Sequence, residues 1–367
     1  MKGYYLFAPV EPGNVGPDSG VERKVRSQYK ALNEALGCEL VIFPPVEYTG
    51  SKLEKVVRRL PFTAAWRKWK YRGEFDDADY LYIREPYYDD TFVRYLKALK
   101  KNNPSVKVIL EIPTYPPQPK KWSISAAPFI LKDMLCGPKA ANYVDAIVNY
   151  YGYQTIWKQP CITTINGYDF GKVTLPERHR GNEIIMLSVA LTAYWHGYDR
   201  VIEGLHQYYQ NGGTENFVYH MVGNVIPEHE QKIRQYGLED HIILHGKMFG
   251  SDLDRLYEQS FLGIDVLGGH RKNYPISSSL KSREYGAWGM PIITSSPVDY
   301  LPRDSKYQFV APYDDSPLDF EAVARYYHSL YDGKDCNLLA QDIRENAQKH
   351  CDMPSTMQPI IDWILKN

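Results

Sequence analysis

The stretch Gly268-Gly269-His270-Arg271-Lys272, followed by Ser277-Ser278-Ser279-Leu280-Lys281-Ser282-Arg283-Glu284 and Gly289-Met290-Pro291, decides how this chain reads. An apolar run at 261–266 precedes it and reads as a buried parallel strand. Small hydroxyl residues then lead into a helix expected over 280–288. Gly289 ends that helix and Pro291 opens the next strand, 291–294. A strand, a polar loop and a helix start, with cations close by, make an anion site. The free N–H groups and dipole of the helix start attract phosphate, and Arg271, Lys272 and Lys281 can add charge-assisted contacts. Glu284 lies about one turn into the helix. A carboxylate beside phosphate is electrostatically unfavourable unless it accepts hydrogen bonds from sugar hydroxyls, so the combination points to a nucleotide sugar. The plainer alternative is a solvated helix start with surface charges.

Working outward, strands and helices alternate along the whole chain. Residues 4–8 read as a first buried strand, and the glycine-bearing loop Glu11 to Gly20 leads into an amphipathic helix at 21–36. Gly16 and Gly20 can let that loop approach a ligand closely, or they simply make a turn. The spacing is not G-x-G-x-x-G, which disfavours a nicotinamide site. Further strands are expected at 39–43, 80–83, 106–112, 146–149 and 162–165, with helices between them, notably 91–101 and 153–158. A polar, aperiodic stretch at 174–182 reads as a linker. A second series follows, with strands at 184–189, 217–222, 242–244, 262–266, 292–294 and 308–310. Alternation of this kind implies α/β architecture: two Rossmann-like domains, each with a parallel sheet covered on both faces, and ligands at the carboxyl ends of the strands. The expected division is 1–175, 176–350, and a closing helix at 351–367 packing back toward the first domain.

Composition narrows the class. A chain of 367 residues suits two domains, and 44% hydrophobic with 24% charged residues is globular. A net charge of −1 argues against a general nucleic-acid binder. Five scattered cysteines without metal-ligand spacing read as reduced thiols. The start of the chain does not read as a signal peptide, and no run approaches the length of a membrane span, so a soluble cytoplasmic protein is expected. One segment departs from the pattern. Residues 52–72 hold Lys52, Arg58, Arg59, Trp66, Arg67, Lys68, Trp69, Lys70, Tyr71 and Arg72, and Lys120-Lys121-Trp122 with Phe129 to Lys132 repeats the mixture. Such a mixture suits the surface of an anionic bilayer, or a solvated helix face.

The carboxyl half carries a family resemblance. VALTAYWHGYDRVIEG at 189–204, Met221-Val222-Gly223-Asn224, Leu244-His245-Gly246 and SSSLKSREYGAWGMP at 277–291 resemble bacterial glycosyltransferases of the GT-B fold. The likeness is to family 4-like enzymes of capsule, exopolysaccharide and O-antigen biosynthesis. In the amino half it takes in SGVERKV, IPTYP at 112–116 and INGYD at 165–169. The resemblance implies two domains across a cleft, the carboxyl one for a UDP- or GDP-linked sugar and the amino one for an acceptor, a glycan or a lipid-linked glycan at the inner membrane face. It implies metal-independent transfer with retention of anomeric configuration and no cofactor beyond the donor; no D-x-D motif is apparent.

Glu284 matches the second glutamate of the family's E-x7-E motif, which holds the donor ribose. Ile276 stands where the first glutamate belongs. The arginine and lysine usual after the first strand of this domain are missing too. His196 and Arg200 are the candidates there, so Arg271 and Lys281 are expected to carry more of the diphosphate charge. Gly269, His270, Lys272, Ser278, Ser279 and Leu280 are expected around the phosphates. Asn224, Gly246 and Met248 line the nucleoside side. On the acceptor side Glu111 is the best-placed carboxylate, at a strand end facing the cleft, with Tyr115 beside it. Two other readings fit: a catalytically degenerate subunit binding a glycan or partner enzyme, and a sugar-nucleotide epimerase, for which the amino half offers no histidine before His179.

Overall fold

Buried strands without polar alternation cannot face water, so each sheet needs helices on both sides. The computed structural model describes residues 1–9, 20–43, 51–60, 62–84, 87–113, 115, 127–150 and 152–367. Gly16 and Lys120-Lys121-Trp122 therefore lie outside the described residues. The chain divides into two units, Met1–Ile165 with Thr356–Asn367, and Asn166–Ser355.

The first unit runs β1 (Gly3–Phe7), α1 (Gly20–Leu36), β2 (Cys38–Ile42), α2 (Lys52–Val57), β3 (Tyr80–Arg84), α3 (Asp90–Asn102), β4 (Lys107–Glu111), α4 (Ala127–Ala141), β5 (Ala146–Asn149), β6 (Thr155–Ile156) and β7 (Gln159–Thr163). The sheet order is β2-β1-β3-β4-β5-β7-β6, parallel except for β6. Every residue of β1 and β3 is buried, as a two-sided parallel sheet requires.

The helix expected at 153–158 is instead a hairpin. Thr155 pairs with Pro160 and Ile156 with Gln159, while Trp157 and Lys158 take left-handed φ of 50° and 68°. Two such residues in succession form the tight turn whose twist matches paired strands. Gly137 of α4 makes room for the indole: a Cβ there would lie 2.6 Å from the Trp157 ring.

The second unit runs β8 (Glu183–Val189), α5 (Asp199–Gln210), β9 (Asn216–Val222), α6 (Pro227–Tyr236), β10 (Ile242–Gly246), α7 (Gly250–Gln259), β11 (Leu262–Ile264), α8 (Leu280–Ala287), β12 (Ile292–Thr294), β13 (Gln308–Val310), α9 (Phe320–Tyr331) and α10 (Cys336–Cys351). α11 (Met353–Lys366) closes the chain, and from Thr356 onward it belongs to the first unit. There the Thr164 hydroxyl donates to the Thr356 carbonyl at 2.5 Å and Lys107 Nζ to that of Ile364 at 2.8 Å.

The boundary after Ile165 falls ahead of the polar stretch read as a linker. Arg178 explains why that stretch is not a linker. Its buried guanidinium donates to the carbonyls of Trp288 at 2.7 Å and Gly289 at 3.2 Å, capping the end of α8 within the second unit.

The second sheet, β10-β9-β8-β11-β12-β13, is wholly parallel. The order reverses between β8 and β11. Loops leaving the carboxyl ends of those two strands must diverge, which opens a crevice at that point of the sheet.

Candidate functional site

Both loops that leave this crevice are tightly built. After β8 the chain makes a short helical turn, Tyr194–His196, and after β11 another, Gly269–Lys272. They pack against each other through glycine: a Cβ on Gly197, at φ +70°, would lie 2.4 Å from the Gly268 nitrogen. Replacing Gly197 with alanine adds backbone strain to a backbone clash, and should cost about 2 kcal/mol or more. Thermal unfolding checks this, and an unchanged midpoint would contradict the packing. At the far side of the crevice, Gly223 N donates to the Gly246 carbonyl at 2.7 Å and Thr192 N to that of Asn224 at 3.3 Å. Met248 is half-buried just beyond.

Asp265, directly after β11, is fully buried and organises the entry to α8. Its carboxylate accepts from the hydroxyls of Ser277 at 2.7 Å and Ser279 at 2.6 Å, and Lys281 Nζ lies 3.7 Å away. Ser279 also caps α8, its hydroxyl accepting from Ser282 N at 3.1 Å. One turn on, Arg283 is fully buried, pairs with Asp299 and donates to the carbonyls of Asn166 at 2.9 Å and Ser279 at 3.1 Å. Asn166 closes the loop from outside by donating from Nδ2 to the Ser278 carbonyl at 2.6 Å. Leu280 opens a helix start that is fixed from three sides.

Lys281 is the cation this arrangement presents. Its side chain is 12% exposed, and Nζ lies 3.2 Å from the Tyr198 hydroxyl. Burial lowers its pKa, with Asp265 opposing. Beside it, His196 is pushed down to about 3 by burial, with Lys281 and Lys272 adding repulsion. The imidazole is therefore neutral at pH 7. Its Nδ1 accepts from Ala193 N at 3.0 Å, which leaves the proton on Nε2 as a donor. Lys272 Nζ sits 3.2 Å above the Trp195 ring. Glu284, half-buried on α8, accepts from the Tyr257 hydroxyl at 3.2 Å.

Arg271 was expected among the catalytic groups, and the structure gives it other work. It grips Asp199 with two parallel bonds, at 2.8 and 2.6 Å, reaches Asp315 at 2.7 Å and donates to the Tyr194 carbonyl at 2.6 Å. Its hydrogen bonds to Asp199, above all, raise its pKa, so it stays charged while clamping the two loops together. His270 joins it, with Nε2 2.8 Å from Asp315. Gly269 lies under this turn because a Cβ would meet Ser296 Oγ at 2.1 Å. Arg200 is buried behind the loop, donating to the carbonyls of Ser316 at 2.6 Å and Pro312 at 3.1 Å, and cannot reach a diphosphate as placed.

In the first unit one acceptor-side expectation, Glu111, is corrected. Glu111 is completely buried and not open to a glycan. Its carboxylate takes Arg84, Lys24 at 3.4 Å, Gln28 at 3.1 Å, Tyr82 at 2.7 Å and Tyr150 at 2.6 Å. Tyr115 packs edge-on against Tyr153 and Trp157, with ring centres 5.2 and 6.0 Å away. Gly20 begins α1 on the surface with open space where a Cβ would go. Among the described residues no group of three or more His, Cys, Asp or Glu side chains could hold a metal ion. Nor is any described helix long and apolar enough to cross a membrane.

Sequence reasoning passed over Asp265 and Asn166 as site-building residues. Asp265 follows a buried apolar strand and precedes a serine-rich loop, and that was the available signal.

No protein-family model matches the chain, and no curated protein does. Solved structures do share its fold. A glycosyltransferase from Rickettsia africae matches at 14% identity over 100% of this chain and 99% of its own, with a TM-score of 0.62. The sucrose-phosphate synthase of Thermosynechococcus elongatus matches at 13% identity over 100% of both chains, with a TM-score of 0.64. The Anabaena protein HepE, solved with UDP-glucose, matches at 14% identity over 100% of both chains, with a TM-score of 0.60. The chain thus has the GT-B fold, two parallel-sheet α/β domains, seen in these glycosyltransferases.

Proposed function

We propose that this protein is a glycosyltransferase that moves a sugar from a UDP- or GDP-linked donor to a glycan acceptor. The observation that carries the proposal is the α8 entry at the carboxyl end of β11: a capped helix start, the cation of Lys281 held by Asp265, and Glu284 one turn further in. Its N–H groups and Lys281 oppose the charge that grows on the leaving diphosphate, and a preorganised site needs no rearrangement to do so. Neutral His196 adds an uncharged donor beside them. Glu284 accepts from the ribose hydroxyls. HepE, solved with UDP-glucose, supports a nucleotide-sugar donor.

The finer reading is a metal-independent hexosyl transfer with retention, in which the leaving phosphate takes the acceptor's proton. A lipid-linked glycan of surface polysaccharide assembly, met at the cytoplasmic face of a membrane, is the acceptor. Ile276, where the first glutamate of the family motif would stand, and the engaged Arg271 and Arg200 favour a second reading, a subunit that binds glycan without turnover.

Thermal unfolding with uridine, guanosine, thymidine and cytidine diphosphates separates the two. A ligand at about 100 times its dissociation constant stabilises the native state by roughly 2.7 kcal/mol, which should raise the midpoint by several degrees with one nucleotide. A shift with none of them would overturn the transferase reading in favour of the binding subunit.

A further inference from the structure

Among the described residues, the first unit carries an apolar face that stands exposed. α2 buries none of its residues. Leu53, Val56 and Val57 on that helix, and Leu60 just beyond it, fall at helical spacing and stand 41% to 74% exposed. Phe62 follows at 71%. On α4 the triplet Leu131, Met134 and Leu135 repeats the spacing i, i+3, i+4, each more than half exposed. Amphipathic helices normally turn such stripes inward. Here α2 buries none of its residues, and α4 turns Lys132 and the small Cys136, Gly137, Ala140 and Ala141 inward in place of its large apolar side chains.

The two stripes are tied into one platform. Lys132 of α4 donates from Nζ to the carbonyls of Arg58 at 2.8 Å and Thr63 at 3.0 Å. The Arg58 guanidinium lies 4.2 Å from the Trp66 ring centre and 5.4 Å from that of Phe129, and those two rings are 5.5 Å apart. Further ties run from Ala65 N to Asp89 at 2.9 Å and from Phe62 N to Asp90 at 3.1 Å, which anchor the platform to the start of α3. These contacts hold the polar atoms beneath and leave the apolar side chains outward.

Charge says what meets them. Lys52, Lys55, Arg59, Lys68, Lys70 and Arg72 are exposed along this segment, and Glu54 is the one acid between residues 52 and 72. A protein partner of ordinary composition has no need of so one-sided a rim. An anionic bilayer surface does: cations meet its phosphates while leucine and phenylalanine enter the interface.

We infer that the α2–α4 platform docks this protein on an anionic membrane by inserting Leu53, Val56, Leu131 and Leu135 among the acyl chains, with the lysines and arginines around them holding the lipid phosphates. The inference rests on the lipid-linked acceptor reading for its purpose, so vesicle binding is measured separately from nucleotide binding and either can fail alone.

The test is flotation of the full chain with vesicles of phosphatidylcholine alone or mixed with phosphatidylglycerol. The protein should float with the mixed vesicles and stay behind with the neutral ones. Each cation near the surface is worth roughly fivefold, so replacing Lys52, Lys55 and Arg59 with glutamine should lower binding about 100-fold. Leu131→Ser with Leu135→Ser should lower it at least about tenfold, and the remainder should become more sensitive to salt. Both variants should keep the parent's nucleotide-induced thermal shift, which shows that the fold survives. Unchanged flotation of the serine variant would overturn insertion. Failure of the parent to float with any vesicle, with concentration-dependent dimerisation lost in the serine variant, would assign the face to a second copy instead.

Discussion

Replacing Glu111 with alanine should destabilise the protein by about 3–5 kcal/mol, because it strands Arg84 and Lys24 as buried cations. Both sit against the same carboxylate oxygen, and Lys24 is also 2.9 Å from the Tyr150 hydroxyl. Burial alone would raise the Glu111 carboxyl. Arg84 and Lys24, with the Tyr150 and Tyr82 hydroxyls, outweigh it and hold the group down at about 2, against an ordinary 4.5. The folded value lies below the unfolded one, so the charged carboxylate stabilises the fold above about pH 4.5 and that contribution is lost as pH falls toward 2. Urea unfolding at pH 7 should show the deficit, and at pH 3 parent and variant should draw closer. Glu111→Gln with Arg84→Met should recover part of the loss, since removing both charges spares the desolvation of either. Equal stability of Glu111→Ala and parent at pH 7 would contradict this account.

The same carboxylate shows where the sequence is silent. Glu111 ends an apolar strand, and periodicity alone places it at the sheet's carboxyl edge, where ligands bind. Its partners come from α1, β3 and the residue after β5, none of them near it in the chain. A charge at a strand end reads as exposed unless its counter-ions are known, and only the fold supplies them. Arg271 illustrates the point again: its spacing suits a phosphate ligand, but Asp199, 72 residues earlier, takes two of its N–H donors side by side.

Local signals fared better where one element decides the outcome. Ser279 reads as a helix cap and is one, and Gly289 ends α8 at φ +66° as a left-handed residue should. The alternation of apolar runs and amphipathic stretches located both parallel sheets. The extent of α4 was not legible because Gly137 and Pro138 sit inside it, where local propensity argues against a helix. Packing against Trp157 requires the glycine, so tertiary contact overrides propensity there. The hairpin that displaced the helix at 153–158 was hidden for a similar reason, since neither Trp157 nor Lys158 advertises a left-handed backbone.

Glu284→Ala should nearly abolish transfer while leaving the fold in place. α8 owes its position to the Ser279 cap, to Arg283 paired with Asp299 and to Arg178 at its end, and none of these touches Glu284. Within the protein the change removes the hydrogen bond to Tyr257, whose buried hydroxyl would then want a partner, at a cost of about 1–3 kcal/mol. The loss to the donor is larger. A charged acceptor facing two ribose hydroxyls contributes about 1.5–3 kcal/mol per bond, so affinity for the nucleotide should fall about 100-fold. Glu284→Gln keeps an acceptor without the charge and should fall between. Tyr257→Phe separates the two effects: it removes the internal hydrogen bond but leaves the carboxylate, so it should keep measurable nucleotide binding. Isothermal titration with the nucleotide that shifts the parent's unfolding, and initial rates with its sugar conjugates, would read each variant. Parent-like affinity in Glu284→Ala would move the ribose away from α8 and return the serine-rich entry to a solvated helix start. Lost affinity in Tyr257→Phe as complete as in Glu284→Ala would mean that the carboxylate serves α8's packing and not the donor.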